Sequence, residues 1–351
     1  MRTKIRNFNR FVWKAAAVIL YRFHSQYSIP TGIVLSLTHD CNLNCVYCMR
    51  QSFKPPEGNV TLDTVKHLLG KMPYINNVVI QGLCEPFLNP ETPAIINWLH
   101  EQGYFVSFTT NGTIPLTGDR LDCLRNIDDF VISIDTADPK VFELLRNGAK
   151  LETVMQNFRK VIDMKRSLDL KKTDNPPMHI NAVITSLNFH LIPSFIKMLE
   201  PYADDLTYLM LDPVSRPDYS TFNPLAIKHD ADFDKQILEL RKIAKESKLC
   251  VVGLDYMLMS SHDWHDCPLA WLNMDIEPNG DIYFCYDFNY VVGNALAESP
   301  LKVHNSQKAR DFRKRLGTSD PPVQQCHSCN FARKGWQLNG VYLKGHEDVI
   351  G

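Results

Sequence analysis

The sequence predicts an α/β fold: a partial (β/α)6 barrel of the TIM type followed by a small C-terminal α+β domain. Three observations carry this. Six short β-rich runs between Gly32 and Leu211 alternate with helical patterns, which implies a parallel sheet that curls. The chemistry-bearing motifs fall directly after those runs, where such sheets bind their ligands. After Ser247 the rhythm gives way to a hairpin and late cysteine pairs.

Residues 1–30 come first, as a basic amphipathic helix with Ile5, Phe8, Val12, Ala16, Ile19 and Phe23 at helical spacing. It either docks on its own domain or lies on an anionic membrane surface. The barrel is expected over residues 31–248. Its strands are Gly32–Thr38, Val78–Gln81, Phe105–Thr109, Phe130–Asp135, His179–Thr185 and Leu206–Leu211. Helices are expected near Asp63–Leu69, Pro93–Gln102, Asp119–Asn126, Pro139–Leu170 (as two), Leu191–Pro201 and Phe233–Ser247. The second domain spans residues 249–351. Within it "NMDIEPNGDIYFCYD" reads as a β-hairpin turning at Asn279-Gly280.

A chain of 351 residues with 44% apolar and 22% charged residues is ordinary globular protein, long enough for a large core. The net charge of −1 hides an asymmetry. Arg2, Lys4, Arg6, Arg10, Lys14 and Arg22 all precede the first acidic residue, Asp40, so without these six the remainder carries −7. A main body so acidic argues against nucleic acid as a partner. The ten cysteines mostly sit at metal-ligand spacings and no export signal precedes them. This points to a reducing cytoplasm, with the basic helix as a candidate contact to the inner membrane face.

The stretch "THDCNLNCVYCMR" supplies three thiols, Cys41, Cys45 and Cys48, from one loop after the first strand. Zinc completed by His39 or Asp40 is one reading, and an iron–sulfur cluster is the other. Here the sequence resembles the radical S-adenosylmethionine enzymes. "CNLNCVYC" matches their Cys-x3-Cys-x-aromatic-Cys motif, and the likeness continues through "GLCEP", "TTNGT" and "SIDTADPKVFELLRNG", covering about Gly32 to Leu211. The resemblance implies that the three cysteines hold a 4Fe-4S cluster whose fourth iron takes the methionine end of S-adenosylmethionine. It further implies that Glu85 and the backbone of Gly82–Pro86 meet the methionine ammonium and that Tyr47 borders the adenine. Ser133, Asp135 and Asn181 become candidates for the ribose and carboxylate. Cys84 departs from the glycine usual before this glutamate.

Cys267, Cys285, Cys326 and Cys329 form a second set. A zinc ribbon is one reading of their spacing. They also resemble the twitch domain, a shortened relative of the SPASM domain, which implies a second 4Fe-4S cluster that exchanges an electron with the substrate radical. An external donor such as flavodoxin or ferredoxin would supply electrons. Of the remaining cysteines, Cys123 reads as core, while Cys250 is either core or a thiol that hands a hydrogen atom to a substrate radical. Met257 and Met259 read as core, and His262, Trp264 and His265 carry no assigned role.

The expected activity is therefore hydrogen abstraction leading to epimerisation or dehydrogenation of a sugar- or aminocyclitol-like small molecule. Modification of a ribosomally made peptide is the alternative, although the roughly 30 residues before the barrel leave no room for a leader-binding domain. A non-enzymatic zinc protein is the alternative from another class.

Overall fold

The computed structural model describes residues 2–51, 58–168, 177–214, 225, 227, 231–254, 267–285, 290–316 and 318, with side chains from residue 12 onward and from 232 in the helix that begins at 231. Ten strands form one sheet in the order β10-β9-β8-β1-β2-β3-β4-β5-β6-β7. The strands are β1 (Gly32–Leu35), β2 (Asn77–Ile80), β3 (Phe105–Thr110), β4 (Asp129–Ser133), β5 (Met178–Ile184), β6 (Tyr208–Pro213), β7 (Val251–Val252), β8 (Asn273–Ile276), β9 (Asp281–Tyr283) and β10 (Gly293–Asn294). The helices are α1 (Arg2–Arg22), α2 (Leu62–Gly70), α3 (Thr92–Glu101), α4 (Asp119–Asp122), α5 (Pro139–Leu145), α6 (Leu151–Ser167), α7 (Ile192–Leu199), α8 (Ala231–Glu246), α9 (Leu269–Leu272), α10 (Pro300–His304) and α11 (Gln307–Arg315).

Strands β1 to β7 all run parallel, each paired with the next. All six strands expected between Gly32 and Leu211 are present, and the pattern Pro139–Leu170 resolves into α5 and α6. Local chemistry sets the helix starts. Thr61 Oγ1 accepts from Thr64 N at 3.1 Å ahead of α2, and Asp138 Oδ1 accepts from Lys140 N and Val141 N, both at 2.9 Å, ahead of α5. Side chains alternate across the sheet. Ile33, Leu35, Val78, Ile80, Val106, Phe108, Ile132, Ile180, Leu209 and Leu211 are buried in the main apolar cluster. The intervening positions Gln81, Thr109, Ser133, Asn181, Met210 and Asp212 are half-buried and line the lumen side.

The C-terminal hairpin joins this sheet rather than forming one of its own. Strand β8 pairs in parallel with β1, with Gly32 opposite Asn273 and Leu35 opposite Ile276. Strand β9 then returns antiparallel through the expected Asn279-Gly280 turn, where Gly280 adopts φ +87°. A barrel that stops short of closure leaves the outer edge of β1 with unpaired backbone groups, and β8 satisfies them. No described helix is long and apolar enough to cross a membrane.

One buried side chain secures the exit from β1. Asn89, 1% exposed, donates to Leu37 O and Val60 O at 2.8 Å each, while its Oδ1 accepts from Glu91 N at 2.9 Å. Asn89→Ala strands these groups in the interior at a cost on the order of 1–3 kcal/mol. Guanidinium unfolding should therefore show a lower midpoint with an unchanged slope.

Candidate active site

The loop from Thr38 to Cys48 leaves the carboxyl end of β1 and is held mainly by backbone bonds. Asp40 O accepts from Glu85 N at 2.9 Å, Asn147 O from Asn44 N at 2.8 Å, and Leu145 O from Val46 N at 2.9 Å. Cys45 O accepts from Cys48 N at 3.1 Å and from Gln51 Nε2 at 2.6 Å. Asn42 Nδ2 donates to Thr113 Oγ1 at 2.8 Å, and Asn111 Nδ2 donates to Asn42 Oδ1 at 3.0 Å. The motifs "GLCEP", "TTNGT" and "LLRNG" thus each grip the cysteine loop. Gly148 explains itself in this setting. It adopts φ +100°, and a Cβ there would come within 3.3 Å of Asn42 O.

Cys45 is buried, and Cys41 and Cys48 are half-buried. Burial pushes all three thiols up, Cys45 to about 12, with the Arg146 guanidinium opposing the rise at Cys45 and Cys48. Thiolates in such a pocket need a cationic partner, which iron supplies. Among the described residues, no three His, Cys, Asp or Glu side chains converge as ligands of one metal ion. Three thiols on one loop suit a cubane, in which each thiolate reaches its own iron and the fourth iron is left to another ligand. His39, the alternative zinc ligand, turns its Nε2 to Glu277. The donor set therefore fits a cluster.

Glu85 occupies the loop after β2 but closes inward. Its carboxylate is 0% exposed and accepts from Phe87 N at 3.2 Å, Thr110 Oγ1 at 2.9 Å and Asn111 N at 2.8 Å. This carboxylate ties two loops together, with Oε1 accepting two of these bonds and Oε2 one, beside the backbone of Gly82–Pro86 expected to meet a methionine ammonium. Burial raises Glu85 to about 7, against the pull of those three donors. A cation bound over this loop would hold it ionised. Gly82 packs tightly, since a Cβ there would lie 2.2 Å from Ser36 Oγ and 3.4 Å from Cys84 Sγ.

Asp135 lies at the exit of β4. It is 1% exposed, and both oxygens are taken by protein donors. Oδ1 accepts from Arg146 Nη2 and Val183 N, both at 2.9 Å, and Oδ2 accepts from Arg146 Nε at 2.7 Å and Tyr47 Oη at 2.6 Å. No lone pair is left for a ribose. The carboxylate instead aims Tyr47, whose half-buried ring lies 5.6 Å from the Arg146 guanidinium carbon. Burial holds the Tyr47 hydroxyl well above its usual range. Arg146 escaped the sequence reading, although it lies inside the quoted "LLRNG"; nothing in the pattern marked it as the partner of Asp135. Ser133, at the carboxyl end of β4, pairs in register with Asn181 in the middle of β5, both half-buried on the lumen side.

Cys267 and Cys285, the two described cysteines of the second set, lie at the other end of the strands. Cys267 precedes α9 and the start of β8, and Cys285 follows β9, which the hairpin register places level with the start of β8. Cys326 and Cys329 lie outside the described residues, as do Met257, Met259, His262, Trp264 and His265. Cys250 is exposed, and its carbonyl accepts from Leu209 N at 2.8 Å just before β7. Since Val251 pairs with buried Leu209, the register puts Cys250 on the face of Tyr208, the lumen side. Tyr208 stacks there on His179, which is ion-paired to Asp129 at 2.6 Å. Cys123 is 1% exposed in the core, as expected.

Two outcomes follow from these carboxylates. Asp135→Asn leaves the Arg146 charge buried without its counter-ion, a loss of about 3–5 kcal/mol that thermal unfolding measures. Adding Arg146→Met should recover much of that loss. For Glu85, a folded pKa above the unfolded value means stability present at low pH and lost as pH rises from about 4.5 towards about 7. Unfolding midpoints of the cluster-free protein across that window should fall more for the parent than for Glu85→Gln.

Comparison with known proteins completes the picture. The family model for the radical SAM superfamily matches residues 35–179, and that for the SPASM iron-sulfur cluster-binding domain matches residues 267–330. A tungsten-containing aldehyde ferredoxin oxidoreductase cofactor-modifying protein of Pyrococcus furiosus is 23% identical over 307 residues, covering 80% of this chain and 82% of that protein. The mycofactocin maturase MftC of Mycobacterium tuberculosis is 22% identical over 314 residues, covering 84% and 75%. The fold is similar to that of Streptococcus suis SuiB bound to precursor peptide SuiA, with a TM-score of 0.65, 18% identity, and coverage of 90% and 73%. Two domain matches, in this order on this sheet, establish that the chain belongs to the radical SAM superfamily, with a C-terminal SPASM-type domain and the 4Fe-4S clusters and S-adenosylmethionine that these imply.

Proposed function

We propose that this radical SAM enzyme inverts a hydrogen-bearing carbon of a polar small molecule held in the barrel lumen, with Cys250 returning the hydrogen. The observation that carries the proposal is the exposed Cys250, on the lumen side at the end of the strands opposite Cys41, Cys45 and Cys48. A substrate between them meets abstraction from one side and donation from the other.

Cys41, Cys45 and Cys48 would hold the first cluster, and Cys267, Cys285, Cys326 and Cys329 the second. When bound, the first cluster and S-adenosylmethionine together supply an adenosyl radical that removes one hydrogen atom from substrate. The chain's residues do the rest. The backbone of Gly82–Pro86 binds the ammonium with the Glu85 carboxylate behind it, Tyr47 borders the adenine, and Ser133 and Asn181 meet the ribose and carboxylate. Cys250 gives its S–H hydrogen to the carbon radical, forming a C–H bond stronger than the S–H bond lost. One electron, from the second cluster and ultimately an external donor such as flavodoxin or ferredoxin, and one solvent proton restore the thiol.

A second reading is oxidation of a peptide. It is favoured by the likeness in fold to SuiB, whose structure holds the precursor peptide SuiA. In that case Cys250 is idle and the second cluster accepts an electron.

Three measurements bear on this. Anaerobically purified protein should hold about eight irons, four per cubane; a colourless, zinc-loaded protein would refute both readings. Replacing Cys41, Cys45 and Cys48 with Ala should abolish 5′-deoxyadenosine formation, whereas Cys326→Ala with Cys329→Ala should retain slow cleavage and lose product. In heavy water, turnover of the substrate fraction from cell extract should place one deuterium at the inverted carbon, and Cys250→Ala should deliver none while still cleaving S-adenosylmethionine. An oxidised product without deuterium assigns the peptide-type oxidation instead.

A further inference from the structure

Helix α1 carries two apolar faces, and only one of them has a partner. Ala17 and Tyr21 are buried, with the Tyr21 ring 5.8 Å from that of Trp271 on α9. The helix ends on His24 at φ +47°, whose ring also meets Trp271, at 6.0 Å. Val12, Ile19 and Phe23 are exposed by 48%, 55% and 82% respectively. At about 100° per residue these three lie roughly 160° around the helix from the Ala17–Tyr21 face. Docking on the domain therefore leaves the second stripe facing outward.

Charge identifies what covers it. Arg22 is exposed about 80° from the stripe and Lys14 is exposed on the other side of the helix, and the sequence adds Arg2, Lys4, Arg6 and Arg10 with no acidic residue before Asp40. A second basic element borders the same end of α1. Helix α11, "QKARDFRKR", reaches it through Arg313 Nη1, which donates to Gln26 O at 3.0 Å, and through Arg310, which stacks 5.1 Å from the Tyr27 ring centroid. Lys308 and Lys314 of α11 remain exposed. A stripe of Val, Ile and Phe on a helix that carries six basic and no acidic residues, with a second basic helix against the segment that follows it, matches the acyl and headgroup layers of an anionic bilayer.

We propose that α1 is an interfacial anchor that lays Val12, Ile19 and Phe23 into an anionic membrane surface while Ala17 and Tyr21 keep the barrel attached beneath. An amphipathic helix lying in the interface attaches reversibly, through its apolar stripe and basic residues.

The test is flotation of the full cluster-loaded chain with vesicles of phosphatidylcholine alone or mixed with phosphatidylglycerol. The protein should float with the mixed vesicles, not with phosphatidylcholine alone, and should be released by high salt. Ile19→Glu with Phe23→Glu should weaken flotation about tenfold or more, with S-adenosylmethionine cleavage unchanged, which shows that the variant is folded. Absence of flotation by the parent, or equal flotation by the variant, overturns the proposal. So does a dimer that dissociates in the variant without any vesicle binding, since the stripe would then face a second copy.

Discussion

A single buried carboxylate organises the reactive end of this barrel. Asp135, at the exit of β4, accepts four hydrogen bonds: two from Arg146 past the end of α5, one from Tyr47 in the cysteine loop and one from Val183 N near the end of β5. Asn188 Nδ2 adds a fifth tie through Asp135 O at 2.9 Å. The bidentate, charge-assisted pair fixes Arg146. The residues flanking Arg146, Leu145 and Asn147, then accept the backbone bonds of Val46 and Asn44. The loop that carries the three cysteines is thereby tied to the ends of β4 and β5 and to the turn after α5.

The C-terminal domain is coupled to the same loop by an equally direct route. Glu277, just past β8, pairs with His39 two residues before Cys41, and its other oxygen accepts from Ser36 Oγ at 3.1 Å. With β8 hydrogen-bonded along β1, the segment from Cys267 to Cys285 is anchored on the same sheet as the strand that leads into the cysteine loop.

Much of this was legible in the sequence, and the residues show why. Strands β1 to β6 announced themselves by β-rich runs, and the cysteine loop by its spacing. What stayed hidden were pairings between distant side chains. The resemblance offered Glu85 as a ligand contact and Asp135, at a strand end, as another, and both carboxylates are turned inward onto protein donors. A sequence pattern locates a carboxylate but does not reveal which donors surround it. For the same reason Arg146 and Glu277 drew no attention, and β8 was expected in a separate domain because nothing local declares that the outer edge of β1 needs a partner.

The central claim is that Cys41, Cys45 and Cys48 hold a cubane whose fourth iron is left to S-adenosylmethionine. Electron paramagnetic resonance of the reduced Cys326→Ala, Cys329→Ala protein, in which only that cluster remains, tests it most directly. Adding S-adenosylmethionine should change the principal g values, because the cofactor's amino and carboxylate groups become ligands of that iron. A cluster signal that S-adenosylmethionine leaves unchanged would contradict the account.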